Sequence, residues 1–493
     1  MVAGGDPATV AAVRVVMEAG GNAVDGAVAG AFTAMVAEST LTSAGGGGVM
    51  MVCPAQGESV VFDFFTDMPA GLTEGLDFFK VTIDFGPATQ DFHIGRGASA
   101  VPGNVAGLLH AQKCLGRLEA KEVLAPAIHA AGGGIAVSEQ QAIFIKNLEP
   151  ILTHEADARE LYSPGGKLLE AGDRLVMPGF ATFLEELAVE GSRFFYEGEV
   201  AREISEWADT GGLIQRSDLK NYRVIERRPL TCEFLGHQIL LNPPPATSGA
   251  RVDFILSLLE RAGGARAGVL KTVDLVCAME MADQVRPENC SQLTDTEWEE
   301  WLEIFRQRTP RSAGMAEPRA TGSTTHLSVL DKEGNAVSVT TTNGEGCGHV
   351  LPNSGFMMNN MLGEEDLSPG GFHQHPPGAR LPTMMAPTIV LREGRPVLVT
   401  GSGGSSRIRS AIVQVLVNVL CRRLPLEEAI LSPRAHCDGG TIHAEEGFAL
   451  EELADRRLNQ WPGRSLFFGG AHSVTPESAV GDPRRSGCAL EFD

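Results

Sequence analysis

The sequence predicts a layered fold in which helices cover β-sheets, and three observations carry that prediction. Two helical stretches rich in small apolar residues open the chain. Pairs of short strands are joined by tight turns. An amphipathic stretch follows a glycine-rich turn directly after a strand. Strands followed by helices in this way are typical of layered sandwiches. The 43% hydrophobic and 21% charged fractions are ordinary for a globular protein.

The N-terminal region begins with two predicted helices. Apolar residues at helical spacing predict a helix over 7–19, which a glycine pair ends. A second helix is predicted over 22–37, where Ala, Val and Gly permit close packing against a sheet. Strands over 49–53 and 59–64 flank a Pro-Ala-Gln-Gly turn, so we expect a hairpin there.

The middle of the chain, 102–260, reads mostly as helices with polar connections. The stretch 242–249 contains three consecutive prolines and predicts a rigid loop, because proline fits neither a helix interior nor a central strand. A charged surface helix is predicted over 297–306. The residues that follow it, up to Ser323, predict an exposed, flexible linker where proteolysis is easiest.

The C-terminal third changes to strands. Two hairpins are predicted, 324–331 with 336–343 and 388–392 with 396–400. A strong amphipathic helix is then predicted over 406–422.

Charge and cysteine usage limit the classes of partner and the compartment. The net charge of −22 argues against nucleic acid or an anionic membrane as a partner. The nine cysteines are scattered and form no C-x-x-C pair, which favours reduced thiols in a reducing compartment. We find no basic-then-apolar leader and no apolar run of bilayer length, so we expect a cytoplasmic protein, although a trimmed secreted chain would look the same.

Two threonines of the first C-terminal hairpin are candidates for chemistry. Thr324 opens its first strand and Thr342 closes its second, so the pairing brings both hydroxyls to one edge of the sheet. If the chain is cut just before Thr324, the freed α-amine can act as base for that residue's own hydroxyl. The alternative is that these threonines are simply good strand residues.

A second candidate is the glycine-rich turn at 400–407, TGSGGSSR. A turn between a strand and a helix N-terminus presents backbone N–H groups to an anion, either a phosphate or a transient oxyanion. No Gly-Lys-Ser/Thr follows, which argues against a P-loop. A plain strand-to-helix turn is the other interpretation.

Weaker signals favour structural roles. His373 and His375 lie in a Gly/Pro-rich loop without a third ligand, so we predict no metal site. Cys347 between two glycines is better interpreted as a buried thiol than as a nucleophile. The chain contains no G-x-S-x-G elbow, which argues against an α/β-hydrolase.

Seven segments in one order resemble the γ-glutamyltranspeptidase family of N-terminal-nucleophile hydrolases. They include TTHLS at the candidate nucleophile and TGSGGSSRI at the glycine-rich turn. The segments are 20–25, 42–48, 101–103, 243–249, 324–328, 359–360 and 400–408. Each is weak alone, but seven in register are specific.

The resemblance implies an α+β fold, a four-layer αββα sandwich. It implies autocatalytic cleavage between Ser323 and Thr324 into chains 1–323 and 324–493 that stay associated, with a higher oligomer left open. Thr324 would be nucleophile and base, with Thr342 orienting it. Backbone N–H groups of Gly404 and Ser405 would stabilise the oxyanion. No cofactor is implied, and the substrate would be a small amide.

The chain departs from the family where the substrate would be recognised. The family holds the glutamyl α-carboxylate with an arginine, yet Phe65 stands where many relatives carry it, and Arg96 is the nearby substitute. The family's asparagine after the second threonine falls one residue early, at Asn343.

Two further substrate contacts are altered. The acidic residue that grips the substrate amine is Glu364, Glu365 or the following Asp366. The family's serine pair reads Thr383-Met384, and a methionine cannot donate a hydrogen bond to a carboxylate.

Three functions follow from this combination. The leading one is a γ-glutamyltransferase-like amidohydrolase acting on glutathione and related compounds. The alternative is a sibling acylase with another acyl preference, such as glutaryl amides. The third is an uncut, inactive homologue that serves as a binding scaffold.

Overall fold

The computed structural model describes residues 1–71, 75–84, 89–263, 265, 270–285, 295–307, 323–368, 370–453 and 455–492. The helices are α1 (Pro7–Glu18), α2 (Ala23–Ala37), α3 (Asn104–Leu115), α4 (Ala120–Gly133), α5 (Glu139–Asn147), α6 (Glu149–Leu152), α7 (Ala156–Tyr162), α8 (Pro178–Glu190), α9 (Ser192–Tyr196), α10 (Glu199–Ala208), α11 (Arg216–Asn221), α12 (Thr247–Arg261), α13 (Thr272–Ala282), α14 (Asp295–Gln307), α15 (Arg407–Leu416) and α16 (Leu426–Leu431). The strands are β1 (Val2–Gly4), β2 (Gly47–Cys53), β3 (Val60–Phe64), β4 (Phe79–Asp84), β5 (Thr89–Ile94), β6 (Ile135–Ala136), β7 (Arg174–Leu175), β8 (Ile225–Arg227), β9 (Leu230–Phe234), β10 (His237–Leu241), β11 (Thr325–Leu330), β12 (Ala336–Thr342), β13 (Thr388–Arg392), β14 (Arg395–Gly403), β15 (Ala435–Asp438), β16 (Thr441–Glu445), β17 (Leu458–Trp461), β18 (Gly470–Val474), β19 (Ala479–Val480) and β20 (Cys488–Leu490).

Two large sheets stack face to face and form the middle of the molecule. The first has the strand order β20-β1-β11-β12-β2-β3-β8, and the second has the order β19-β18-β14-β13-β10-β9. Strands β11 and β12 lie against β14, while α2 covers the first sheet and α12 and α15 cover the second. The predicted four-layer αββα sandwich is therefore confirmed.

Strand β2 shows how the layers divide the core. Met50 and Val52 point into the core beneath the N-terminal helices. Val49 and Met51, which alternate with them along the strand, point into the core shared with the second sheet. All four side chains are buried, which explains why this strand reads as a continuous apolar run rather than an alternating one.

The hairpin β11–β12 carries polar side chains toward the second sheet. His326 bonds Thr340 through Nδ1 at 2.8 Å and Ser328 through Nε2 at 2.9 Å. Ser338 donates to the carbonyl oxygen of Thr400 in β14 at 2.9 Å. Since buried polar groups are costly unless paired, the His326 bonds satisfy groups within the first sheet, and the Ser338 bond ties that sheet to the second.

The predicted elements are mostly confirmed, with corrected ends. Both N-terminal helices, the first hairpin, the two C-terminal hairpins and the surface helix lie where expected. The amphipathic helix predicted over 406–422 is shorter: α15 ends at Leu416, and a π-helical turn, Val417–Cys421, follows. The predicted linker lies outside the described residues except for Ser323.

None of the helices described is long and apolar enough to cross a membrane. Eight of the nine cysteines are described, and all eight are free thiols.

Candidate active site

The hairpin β11–β12 sets the position of both candidate threonines. Thr325 pairs with Thr341 across the hairpin, so Thr324, one residue earlier, lies beside Thr342, one residue later. Strand β12 is held on its other side by β2, where Thr342 pairs with Gly47. The predicted meeting of the two hydroxyls at one edge of the sheet is therefore seen.

Both hydroxyls converge on the peptide carbonyl that precedes the candidate nucleophile. Thr324 Oγ1 and Thr342 Oγ1 each donate to the carbonyl oxygen of Ser323 at 2.6 Å. The backbone N–H of Gly344 donates to Thr342 Oγ1 at 3.1 Å and so orients that hydroxyl. The carbonyl of the peptide bond between Ser323 and Thr324 is therefore polarised by two donors.

The bond before Thr324 is buried, which corrects the expectation that it lies in an exposed segment. Ser323 is 4% exposed and Thr324 is 7% exposed. A protease needs an accessible backbone, and this bond does not offer one. Cleavage at this buried bond would instead have to be carried out by groups of the chain itself.

Glu345 is a neighbour of the scissile bond that the sequence did not single out. Its Oε1 accepts the backbone N–H of Ser323 at 3.1 Å, and the Ser323 hydroxyl bonds the same carboxyl. The flanking glycines adopt positive φ angles of 59° and 84°, Gly344 and Gly346 respectively. The sequence does carry a signal for this contact, namely an acidic residue between two glycines just after Thr342. A turn of that kind can direct the side chain back toward the end of the strand.

The glycine-rich turn approaches the nucleophile from the second sheet. A side chain at Gly403 would place its Cβ 2.1 Å from the Thr324 carbonyl oxygen, so only glycine fits there. Gly404 and Ser405 follow with φ angles of 118° and 50° and turn the chain into α15. Arg485 donates to the same Thr324 oxygen through Nη1 at 3.3 Å.

The turn leaves backbone donors beside the nucleophile. The N–H groups of Gly404 and Ser405 have no hydrogen-bond partner within the part of the chain described. The Ser405 hydroxyl donates to Asp366 at 2.8 Å, which fixes the turn from its other side. These are the donors that the sequence predicts for an oxyanion, and their catalytic role stays a prediction.

A small cavity of about 30 Å³ opens at the nucleophile. Its lining is mostly apolar, with hydroxyls and one carboxyl. The lining residues are Phe65, Ser323, Thr324, Thr342, Met361, Glu364, Leu367, Thr383, Met384, Met385, Ser405 and Ile408. Ser323 and the nucleophile Thr324 therefore share one narrow cavity wall.

The acidic groups at the cavity resist ionisation. Burial, with Glu345 and Asp366 nearby, raises the pKa of Glu364 well above its ordinary value. Burial raises the pKa of Glu345 to about 7, against the opposing effect of the Ser323 N–H. Both carboxyls therefore ionise less readily than an exposed glutamate, and Glu345 is divided between its two forms at neutral pH.

The bases available to the nucleophile are few. Burial holds the pKa of His326 well below its ordinary value, so this imidazole is neutral. Its two ring nitrogens are already hydrogen-bonded to Thr340 and Ser328. Among the residues lining the cavity there is neither histidine nor lysine. A base for Thr324 therefore has to come from the α-amine that cleavage would create.

The predicted substrate residues divide into two groups. Glu364, Thr383 and Met384 line the cavity, together with Phe65 at the family arginine's position. Arg96 does not line it: its Nη1 pairs with Asp77 at 3.1 Å, and its guanidinium faces Trp207.

Asn343 and Glu365 also lie outside the cavity lining. The Asn343 side chain donates to the Met358 carbonyl oxygen at 3.4 Å, which braces the turn after β12. His373 and His375 each bond a backbone carbonyl oxygen, of Gly97 and Leu367 respectively. Cys347 is fully buried, and burial raises the pKa of its thiol to about 11.

The sandwich and the buried threonine at a strand start define the class of N-terminal-nucleophile hydrolases. The family model for gamma-glutamyltranspeptidase matches residues 8–492, and the chain belongs to that family. It is accordingly an enzyme of this hydrolase and transferase type.

Two of the similar proteins carry different names. An Acylase ACY 1 proenzyme of Pseudomonas sp. (strain SE83) is 33% identical over 480 residues, covering 93% of this chain and 86% of the relative. A glutathione hydrolase proenzyme of Escherichia coli (strain K12) is 30% identical over 501 residues, covering 94% and 85%. Both names record synthesis as a proenzyme.

Solved structures agree with the fold. A cephalosporin acylase from Bacillus halodurans superposes with a TM-score of 0.83 at 23% identity, covering 100% of this chain and 96% of that one. A γ-glutamyltranspeptidase from Helicobacter pylori gives 0.54 at 26% identity, covering 62% and 90%.

Proposed function

We propose that the chain is an N-terminal threonine amidohydrolase that cleaves itself before Thr324 and then hydrolyses or transfers γ-glutamyl groups from small amides such as glutathione. The observation that supports it most is the convergence of the Thr324 and Thr342 hydroxyls on the Ser323 carbonyl oxygen, at 2.6 Å each. Membership of the γ-glutamyltranspeptidase family supports the choice of acyl group.

Self-cleavage would proceed as an acyl shift. Thr324 Oγ1 attacks the Ser323 carbonyl carbon, the C–N bond breaks, and the hydroxyl proton ends on the Thr324 nitrogen. Thr342 stabilises the developing oxyanion by its hydrogen bond. Water then hydrolyses the ester, which gives a Ser323 carboxylate, the free Thr324 hydroxyl and a new α-amine.

Turnover would use the same hydroxyl with a different carbonyl. The α-amine takes the Thr324 proton as the hydroxyl attacks the donor amide, and it returns the proton to the leaving amine. The Gly404 and Ser405 N–H groups receive the oxyanion, a contact that typically stabilises a transition state by about 3 kcal/mol per donor. Water or a second amine then takes the acyl group from Thr324.

The cavity explains why the uncut chain would be inactive. Ser323 lines the cavity beside Thr324, on the side from which a donor carbonyl would have to reach the nucleophile. Cleavage therefore supplies two things together, the amine that activates Thr324 and a free C-terminus that can leave the cavity.

The chains 1–323 and 324–493 would stay associated because they share both sheets. β1 lies between β11 and β20, and β12 pairs with β2. In the second sheet β10 pairs with β13. Separating the products would break every one of these ladders, so a non-covalent pair is expected, and the higher oligomer is left to measurement.

A second candidate, an acylase with another acyl preference, is favoured by the cavity lining. Phe65, Met361 and Met384 line the space where a γ-glutamyl group would present its α-carboxylate, and the lining residues include no arginine or lysine. A carboxylate placed there would be desolvated without a cation, which is costly. An uncharged, apolar acyl group meets no such cost.

Two measurements test the proposal. Denaturing electrophoresis and N-terminal sequencing of purified protein should show a fragment that begins Thr-Thr-His-Leu-Ser; a single full-length band in an active preparation would reject the mechanism. Initial rates with γ-glutamyl, glutaryl and hexanoyl anilides then identify the donor. A preference for the first supports the leading function, and a preference for either of the others supports the acylase.

The eight free thiols support the proposed cytoplasmic location, because disulfides form readily in oxidising compartments. Fractionation of cells that produce the protein at its natural level tests this directly.

A further inference from the structure

The peptide unit of Ser323 is held from both sides by one short turn. Thr342, at the start of the turn, donates to the Ser323 carbonyl oxygen. Glu345, at the end of the turn, accepts the Ser323 N–H. The turn itself is fixed by the Glu345 N–H, which donates to Asn360 Oδ1 at 2.9 Å. Only two residues lie between Thr342 and Glu345, so the two contacts move together.

Glycines on either side of Glu345 make that arrangement possible. A Cβ at Gly344 would lie 2.0 Å from Asn360 Oδ1 and 2.4 Å from Glu364 Oε1. A Cβ at Gly346 would lie 2.2 Å from the Met357 sulfur. Since both positions also have positive φ angles, the backbone is specialised to bring the Glu345 carboxyl against Ser323.

The Glu345 carboxyl is buried, and part of its bonding capacity is unused. Its Oε2 lies out of contact with solvent and has no hydrogen-bond partner among the described residues. A buried carboxyl with a free oxygen is expensive to keep, and nothing in the sheet packing requires it. Its direct partner is the residue at the scissile bond, which indicates a function in the uncut chain.

We infer that Glu345 is a positioning residue for self-cleavage, whose carboxylate anchors the Ser323 N–H while Thr342 holds the Ser323 carbonyl over Thr324. The inference rests on the proposed function, because it assigns a part in the self-cleavage proposed there. It also implies that an uncharged amide at position 345 holds the scissile unit less firmly.

The anchor should depend on pH because the ionised carboxylate accepts the stronger hydrogen bond. The pKa of Glu345 is raised to about 7, so the carboxylate form is scarce at pH 6 and dominant at pH 8. The charged groups that face it are Arg407 and Arg485, and Glu364 is the neighbouring acid. Self-cleavage should therefore accelerate as the pH rises through about 7.

The test follows self-cleavage of full-length chain after pulse labelling in cell-free synthesis, from pH 6 to pH 8.5. Wild type, Glu345→Gln, Glu345→Asp and the uncut reference Thr324→Ala are compared. We expect Glu345→Gln to cleave about tenfold more slowly than wild type at pH 8, as for the loss of a charge-assisted bond, and to lose the acceleration near pH 7. Glu345→Asp should regain that acceleration in part, because it restores the charge.

Glu38→Gln is the matched control for the loss of a buried charge. Burial also raises the pKa of Glu38 to about 7, but its carboxylate accepts the hydroxyls of Thr9 and Thr325 rather than a peptide N–H of the scissile bond. We expect this variant to keep the wild-type pH step.

The possible outcomes distinguish a failure of the inference about Glu345 from a failure of the proposed function. A wild-type chain that never cleaves rejects both. A wild-type chain that cleaves while Glu345→Gln matches it in rate and pH profile rejects the inference alone. A third outcome also rejects the inference alone. In it, Glu345→Gln cleaves slowly but keeps the pH step, and its thermal unfolding midpoint falls below that of Thr324→Ala. That combination would indicate a folding defect.

Discussion

The edge of the β11–β12 hairpin and the cavity beside it differ in how closely they follow the family. At the hairpin edge, the Thr324 and Thr342 hydroxyls bond one peptide carbonyl, and the glycine-rich turn packs against Thr324. In the cavity, Phe65 and Met384 stand where the resemblance to the family predicts groups that would hold a carboxylate. The difference teaches that amide chemistry and acyl recognition are built by separate elements, so one can change while the other is kept.

The physical reason lies in what each region demands. The hairpin edge must hold three groups to a fraction of an ångström, and the sheet register fixes them all at once. The cavity wall needs only shape and polarity, and its residues come from the loop after β3 and the loops before β13 and α15. We therefore expect a substitution there to change the preferred donor without moving the nucleophile.

Removing the nucleophile tests the hairpin edge with the largest expected effect. Thr324→Ala should abolish self-cleavage and lower anilide turnover by at least about 10⁴-fold, because the attacking oxygen is gone. The measurement is electrophoresis of the purified chain together with initial rates. Thr324→Ser is the matched control and should still cut, and normal turnover by the alanine variant would contradict the assignment.

The hairpin is also where the sequence predicted most. The Thr325–Thr341 register follows from strands joined by a tight turn, so the meeting of Thr324 with Thr342 could be expected before the fold was known. The apolar layers follow likewise from runs such as β2. The ends of α15 could not be predicted, because the π-helical turn after Leu416 continues the same apolar spacing.

The cavity side was less predictable, since its contacts join distant loops. Arg96 was the expected carboxylate partner, but Asp77 binds it instead, and no local pattern relates those two positions. Glu345 was missed because a glycine-flanked acid usually marks a turn rather than a contact. Ser323 is buried, although the composition of the predicted linker that ends at this residue suggests exposure.

Loss of the second hydroxyl should have the next largest effect. Thr342→Ala removes the donor to the Ser323 carbonyl oxygen, and we expect self-cleavage to slow by about 10²–10³-fold, as for the loss of one oxyanion donor. Pulse-chase electrophoresis gives the rate. Thr342→Ser keeps the hydroxyl and should stay within a few fold of wild type; an alanine variant that matures at the wild-type rate would show that the contact is incidental.

Neutralising the cavity carboxyl tests acyl recognition. Glu364 is the only acidic residue in the lining described, so a γ-glutamyl donor that binds there would place its ammonium against it. Glu364→Gln should lower the rate with γ-glutamyl anilide by roughly tenfold to a hundredfold, the value of a charged hydrogen bond. Glutaryl anilide, which lacks the amine, serves as control and should change little. Equal losses with both anilides would mean that Glu364 supports the cavity rather than the donor amine.

The smallest effect is expected from restoring one donor in the cavity wall. Met384 lines the cavity, its sulfur lies 3.7 Å from the Ser405 hydroxyl, and it occupies a position where the family uses a serine that can donate to a carboxylate. Met384→Ser should raise the γ-glutamyl rate relative to the hexanoyl rate by about threefold to tenfold, the value of one hydrogen bond. Met384→Leu keeps the apolar wall and should leave that ratio unchanged. If the serine variant leaves the ratio at its wild-type value while self-cleavage stays normal, acyl preference is set elsewhere in the wall, and Phe65 becomes the residue to exchange, because it stands where the family carries its arginine.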